Sequence, residues 1–176
     1  QDPALFKEVL NMITDVTITY LVNQCKSGAQ ALQIFDTWIN HLDWTSCEEF
    51  SAAYVKRIVS GLRERNITVP ITFFGKQTSV FYPLYETTGI DVISIDWNGD
   101  LKRIDQVLEP NIGLQGNLDP FILFAEKSVI IKRVSEICDS VNPKRKFIFN
   151  LGHGLMPDIP ISAVQCVIDT VKSKQR

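Results

Sequence analysis

A chain of 176 residues, 45% hydrophobic and 22% charged, has the balance of one folded domain with a real core, which excludes disorder. A net charge of −2 excludes the broadly basic surface of a general nucleic-acid or membrane-surface binder, so neither partner is expected. No apolar run approaches the roughly 18 residues of a membrane span, and the first residues show no signal-peptide pattern.

The chain opens Gln1-Asp2-Pro3 and runs at once into helical sequence. Residues 31–35 (A-L-Q-I-F) are the first of five short apolar runs, followed by a helical pattern over 50–66 that spaces Phe50, Ala53, Tyr54, Ile58 and Leu62 close to the 3.6 period. The second run is 69–74 (V-P-I-T-F-F), then a short helix over 80–87 ended by Gly89. The third is 92–95 (V-I-S-I), followed by a helix over 101–108 with Leu101, Ile104, Val107 and Leu108 on one side. The fourth, 112–115 (I-G-L-Q), leads to the longest predicted helix, 121–141, introduced by Asp119 as cap and Pro120 at its first position. The fifth run is 147–151 (F-I-F-N-L), and a helix over 162–174 closes the chain with lysines in its last turn.

Short apolar strands alternating with helices, with no hairpin signal, predict an α/β fold whose parallel sheet is covered by helices. Each run ends in polar or special residues: Asp36-Thr37-Trp38, Gly75-Lys76, Asp96-Trp97-Asn98, Gly116-Asn117-Leu118-Asp119 and Gly152-His153-Gly154. Parallel strands gather their C-terminal ends on one rim, where α/β proteins bind ligands, so these clusters are expected to converge. The four cysteines, Cys25, Cys47, Cys138 and Cys166, form no C-x-x-C pair and stand at no metal-ligand spacing from a histidine. They read as free thiols in a reducing compartment, and no metal is expected.

The segments I-F-D-T-W at 34–38, I-D-W at 95–97, L-Q-G-N-L-D-P at 114–120 and F-N-L-G-H-G at 149–154 resemble, in order and spacing, the uroporphyrinogen decarboxylase family, from about Gln24 to the C-terminus. The resemblance implies the second half of a (β/α)8 barrel, with residues 1–176 as the C-terminal portion of a single barrel domain. It implies decarboxylation of the four acetate arms of uroporphyrinogen III to coproporphyrinogen III without metal or organic cofactor, by a cytoplasmic homodimer, a plastid remaining open. The family's arginine-rich segment, its aspartate and its tyrosine are expected upstream of this sequence, so no catalytic residue is assigned within it. A five-stranded piece would have two open sheet edges and uncovered apolar surface, so the chain alone is expected to be poorly soluble or inactive.

The resemblance carries substrate binding onto two residues. Thr37 stands where the family has Ser or Thr after F-D, its hydroxyl orienting a substrate carboxylate. His153 stands at the last strand end, its imidazole donating to a propionate or acetate, with flanking glycines clearing the ligand's approach. Asp36 reads as a turn residue behind the ligand, Lys76 as a solvated surface lysine or, alternatively, a source of positive potential at the mouth, and Asp96, Asn117 and Asp119 as scaffold. The family commonly has small residues after Trp38, where Ile39 and Asn40 stand here.

Three rivals compete. Cobamide-dependent methyltransferases share the fold but hold zinc with H-x-C, and here Leu155 follows His153 at the cysteine position. A non-catalytic half-barrel would only bind a tetrapyrrole or a partner chain. A free-standing doubly wound domain lacks its glycine-rich phosphate loop after the first strand.

Overall fold

The structure is a computed structural model that describes residues 2–174, apart from the side chain of Thr78. Helix α1 (Pro3–Lys26) leads into β1 (Leu32–Asp36). Helix α2 (Trp44–Cys47) runs through a π turn (Glu48–Ala52) into α3 (Ala53–Arg63). There follow β2 (Ile71–Gly75), α4 (Thr78–Glu86), β3 (Val92–Ser94), α5 (Leu101–Val107) and β4 (Gly113–Leu118). A 3-10 turn (Pro120–Phe124), α6 (Lys127–Ser140), β5 (Phe147–Leu151) and α7 (Ile161–Lys174) complete the order.

All five predicted strands are present and parallel, in the order β1-β2-β3-β4-β5. Strictly consecutive order is that of a barrel wall. A doubly wound sheet reverses direction at a switch point, which removes that rival. β1 and β5 are the free edges of the sheet.

One departure concerns the helix expected over 121–141. Asp119 instead accepts the Phe121 N–H at 2.9 Å and caps the short 3-10 turn, and Ala125 and Glu126 are extended before α6 begins. Leu123 and Ile130, on either side of the break, are both buried in one cluster. Their spacing of seven matches two helical turns, so the apolar pattern reads straight through the interruption. The longest helix is α1, which Asp2 caps by accepting from the Ala4 and Leu5 N–H groups.

The core lies on the helix side of the sheet. Leu32, Ile34, Ile71, Phe73, Ile93 and Leu114 face α1, α3, α4 and α5 there, and Leu118, Phe149 and Leu151 pack with α6 and α7. The other face carries one polar residue from each apolar run. The register pairs Gln33 with Thr72, Phe74 with Ser94, Ser94 with Gln115 and Gln115 with Ile148, two residues before Asn150. On the middle strands this face is buried, but on the edge strands Phe35 and Ile148 are exposed. Helix α1 also shows an uncovered apolar stripe of Leu5, Val9, Met12, Ile13, Val16 and Tyr20.

The end of the sheet opposite the rim is clasped by Arg145. Its Nε donates to Asp105, Nη1 to the Glu109 and Ile112 carbonyls at 2.9 and 2.8 Å, and Nη2 to the Asp105 and Leu108 carbonyls at 2.8 and 3.1 Å. Every donor of the guanidinium is used, and several acceptors are carbonyls around the C-terminal end of α5 that the helix itself cannot satisfy. The other Asp105 oxygen accepts the Asn142 N–H at 2.8 Å. Both side chains of the pair are 8% exposed.

Behind the end of β1 lies a buried polar chain. Ser51, in the π turn, donates its hydroxyl to Asp36 at 2.6 Å and shares a 2.8 Å hydrogen bond with the Tyr85 hydroxyl, which lies 3.4 Å from Cys47 Sγ. Burial pushes the Asp36 carboxyl above its ordinary range, partly offset by the Ser51 bond. Burial likewise pushes the Tyr85 hydroxyl and the Cys47 thiol up, so both stay protonated at neutral pH.

Two outcomes follow for stability. Arg145→Ala leaves Asp105 buried without its partner and strips α5 of its cap, and is expected to cost about 3–5 kcal/mol, read as a lowered denaturant midpoint. Because folding favours protonated Asp36, its stabilising contribution is complete below about pH 3.9 and is lost as pH rises through the raised folded value. Asp36→Asn cannot ionise, and is expected to lose less stability than the wild type between acid and neutral pH, measured as the shift in urea midpoint.

Candidate functional site

The strand ends converge as expected, and glycines set how closely. Gly116 has φ +136°, and a Cβ there would lie 2.7 Å from the Ile95 carbonyl oxygen. A Cβ on Gly152 would collide with the Trp97 backbone N and lie 2.8 Å from its Cα. The Gly152 N–H meanwhile donates to the Leu118 carbonyl at 2.8 Å. The ends of β3, β4 and β5 therefore touch backbone to backbone. Asn117 ties them further, donating to the Asp96 and Gly99 carbonyls at 2.8 and 2.7 Å.

This packing separates the roles of the two glycines beside His153. The absent side chain of Gly152 makes room for Trp97 rather than for a ligand, whereas Gly154 has open space where a side chain would stand. The half-buried His153 ring sits edge-on to Trp97, with centroids 5.6 Å apart, and to Phe74 at 6.3 Å. Its nitrogens make no hydrogen bond among the described residues, which leaves both available at the rim.

Thr37 and His153 line one concave space of about 330 Å³ on the open face of the sheet. Phe35 and Phe74, edge-to-face at 5.9 Å, form an apolar wall. Gln33, Ser94 and Asn150 add polar groups without charge. Below them Gln115 donates to Ser94 Oγ at 3.0 Å and to Gln33 Oε1 at 3.4 Å, fixing the floor across the sheet. Sequence reading missed Gln33, Phe35, Phe74, Ser94 and Asn150. The signal was the single polar residue inside each apolar run, which strand register alone puts on one face.

The remaining rim residues sort clearly. Asp36 turns away from the concavity and accepts a hydrogen bond from Ser51. Asp96 is buried, and its Oδ2 accepts the Gln77 N–H at 3.1 Å and the Asn98 amide at 3.3 Å, a scaffold arrangement. Lys76 is not free in solvent. Its ammonium lies 4.0 Å from the centroid of the Trp38 ring, a contact worth about 0.5–1 kcal/mol at an exposed site. Ile39, where the family commonly has a small residue, is fully buried against Gly75, and so anchors the loop after Thr37 to the end of β2. Among the described residues no cluster of three His, Cys, Asp or Glu side chains is placed to hold a metal ion, and no helix is long and apolar enough to cross a membrane.

Comparison with known proteins gives a likeness of fold and a family. The solved structure of a methyltransferase from Methanosarcina mazei superposes with a TM-score of 0.77 at 17% identity, covering 91% of this chain and 47% of that one, a likeness of fold. The uroporphyrinogen decarboxylase of Protochlamydia amoebophila is 38% identical over 174 residues, 99% of this chain and 47% of that protein. That of Aquifex aeolicus is 33% identical over 173 residues, 98% of this chain and 50% of that protein. The chain thus spans about half the length of the curated relatives it matches. The similarity begins well before Gln24, since the profile of the family described as Uroporphyrinogen decarboxylase (URO-D) matches residues 1–174. The chain belongs to the uroporphyrinogen decarboxylase family.

Proposed function

We propose that this chain supplies the rim of β1 to β5 to a uroporphyrinogen decarboxylase active site, as the second part of one barrel domain. The reaction removes carbon dioxide from the four acetate arms of uroporphyrinogen III to give coproporphyrinogen III. The observation that carries the reading is the meeting of Thr37 and His153, far apart in sequence, in one concavity of a chain of this family. At about 330 Å³ the concavity is at the small end of ligand pockets. It matches one arm-bearing part of a tetrapyrrole rather than the whole ring.

Within it Thr37 donates its hydroxyl to a substrate carboxylate and His153 donates a ring N–H to another, fixing the macrocycle by orientation. The Phe35–Phe74 wall and the uncharged floor suit the face of a pyrrole. Chemistry then requires a proton on the pyrrole carbon beside the reacting acetate. The resulting cationic ring accepts the electron pair of the breaking C–C bond, carbon dioxide leaves, and the exocyclic methylene so formed takes up a proton to become the methyl group as the ring carbon loses its own. No residue of this chain is assigned the proton transfer, and no step calls for a covalent nucleophile, a metal or an organic cofactor. The substrate is an octacarboxylate tetrapyrrole, and the family's homodimer and cytoplasmic setting are proposed for the whole protein.

The test is a chimera in which these residues replace the matching half of the Protochlamydia protein, assayed for coproporphyrinogen by chromatography after oxidation. Turnover is expected. Thr37→Val and His153→Ala are each expected to lower kcat/KM by about tenfold to a hundredfold, the worth of a hydrogen bond to a charged group, with His153→Ala raising KM more than it lowers kcat. Wild-type kinetics in both variants, with the chimera active, would remove the binding roles. Complete loss of turnover in a folded His153→Ala chimera would show a catalytic role instead.

A further inference from the structure

The concavity that holds Thr37 and His153 is lined by no Lys, Arg, Asp or Glu side chain. A ligand with many carboxylates nonetheless needs a fixed cation nearby, because the field of this chain, at a net charge of −2, is slightly adverse to it. Strand register identifies one. Asp36 of β1 pairs with Gly75 of β2, and the next residues along, Thr37 and Lys76, are joined by a hydrogen bond from the Lys76 N–H to the Thr37 carbonyl at 3.3 Å. Lys76 is thus the backbone neighbour of the hydroxyl-bearing residue in the mouth.

Its ammonium is held at 4.0 Å over the exposed ring of Trp38, the residue after Thr37, and it makes no ion pair among the described residues. Neither of the two carboxylates nearest in the rim sequence pairs with it: Asp36 accepts from Ser51, and Asp96 accepts the Gln77 N–H and the Asn98 amide through Oδ2 while its Oδ1 is buried without a partner. An aromatic perch keeps the cation in place without neutralising it, unlike a salt bridge.

We propose that Lys76 is a specificity-determining residue that pairs with a carboxylate of the bound ligand, beside the one held by Thr37, with Trp38 as the platform that positions its ammonium. The inference rests on the reading of the mouth as a polycarboxylate site and adds its charge-recognising element. It selects for a ligand by number of anionic arms, which a hydroxyl and an imidazole cannot do alone.

The test is a titration of the chimera described above with uroporphyrin, a coloured octacarboxylate, followed by its absorption shift at low and high salt. Lys76→Met is expected to weaken binding about tenfold at low salt and to make it less salt-sensitive. Lys76→Arg, which keeps the positive charge and can still lie over the Trp38 ring, is expected to retain the salt dependence and to weaken binding less than Lys76→Met. Removal of an exposed lysine on α5, Lys102→Met, is expected to change nothing. Affinity and salt dependence unchanged in Lys76→Met, or a loss in Lys102→Met as large, would overturn the proposal while leaving the site reading in place. A chimera without substitutions in these residues that fails to bind uroporphyrin at all would overturn the site reading and this proposal together.

Discussion

The backbone of Gly152 lies against that of Trp97 with no room for a single methyl group between them, and the arrangement of the mouth depends on that contact. It draws the end of β5 onto the end of β3, and Gly116 does the same for β4 against Ile95. With three strand ends in backbone contact, the side chain after Gly152 has little freedom. His153 emerges edge-on between Trp97 and Phe74, facing the concavity that Thr37 enters from β1. Ile39 buried against Gly75 supplies the matching restraint on the Thr37 side. Both candidate binding groups are therefore placed by close packing behind them, as a preorganised site requires.

The two ends of the sheet divide their tasks as barrel walls do. At the end away from the mouth Arg145 saturates carbonyls around α5 and pairs with Asp105. Arg63 does similar work there, binding the Ile67 and Val69 carbonyls and Asp91. These groups spend their hydrogen-bonding capacity on the chain itself. At the mouth the opposite holds: the His153 ring makes no hydrogen bond among the described residues, and Gly154 is open.

How much of this was legible in the sequence follows from what each feature needs. Buried parallel strands are continuous apolar runs, so all five were readable, with errors confined to their ends. β4 extends to Leu118 because Gly116, Asn117 and Leu118, polar or turn-like in isolation, remain paired with Phe149, Asn150 and Leu151. The motifs that carry Thr37 and His153 were readable because each is local in the chain, and the structure brings the two side chains to one concavity. The floor of the site was not, because Gln33, Ser94 and Gln115 become neighbours only through register across the sheet. The break before α6 was hidden by a seven-residue apolar spacing, and the role of Gly152 by a contact with a residue more than fifty positions away.

The distribution of charge at the mouth bears on the proposed chemistry. In a decarboxylation the negative charge of the reacting carboxylate moves into the ring as the C–C bond breaks. A cation bound directly to that carboxylate would stabilise the ground state more than the transition state and would raise the barrier. Carboxylates that do not react benefit from such pairing, which holds the macrocycle in place. A site of this kind needs uncharged surroundings for the reacting arm and cations displaced to the side. The floor of Gln33, Ser94 and Asn150 with the Phe35–Phe74 wall provides the first, and Lys76, held over Trp38 beyond the concavity, provides the second. A lysine inside the concavity would bind the ligand more tightly and leave the reacting arm harder to cleave.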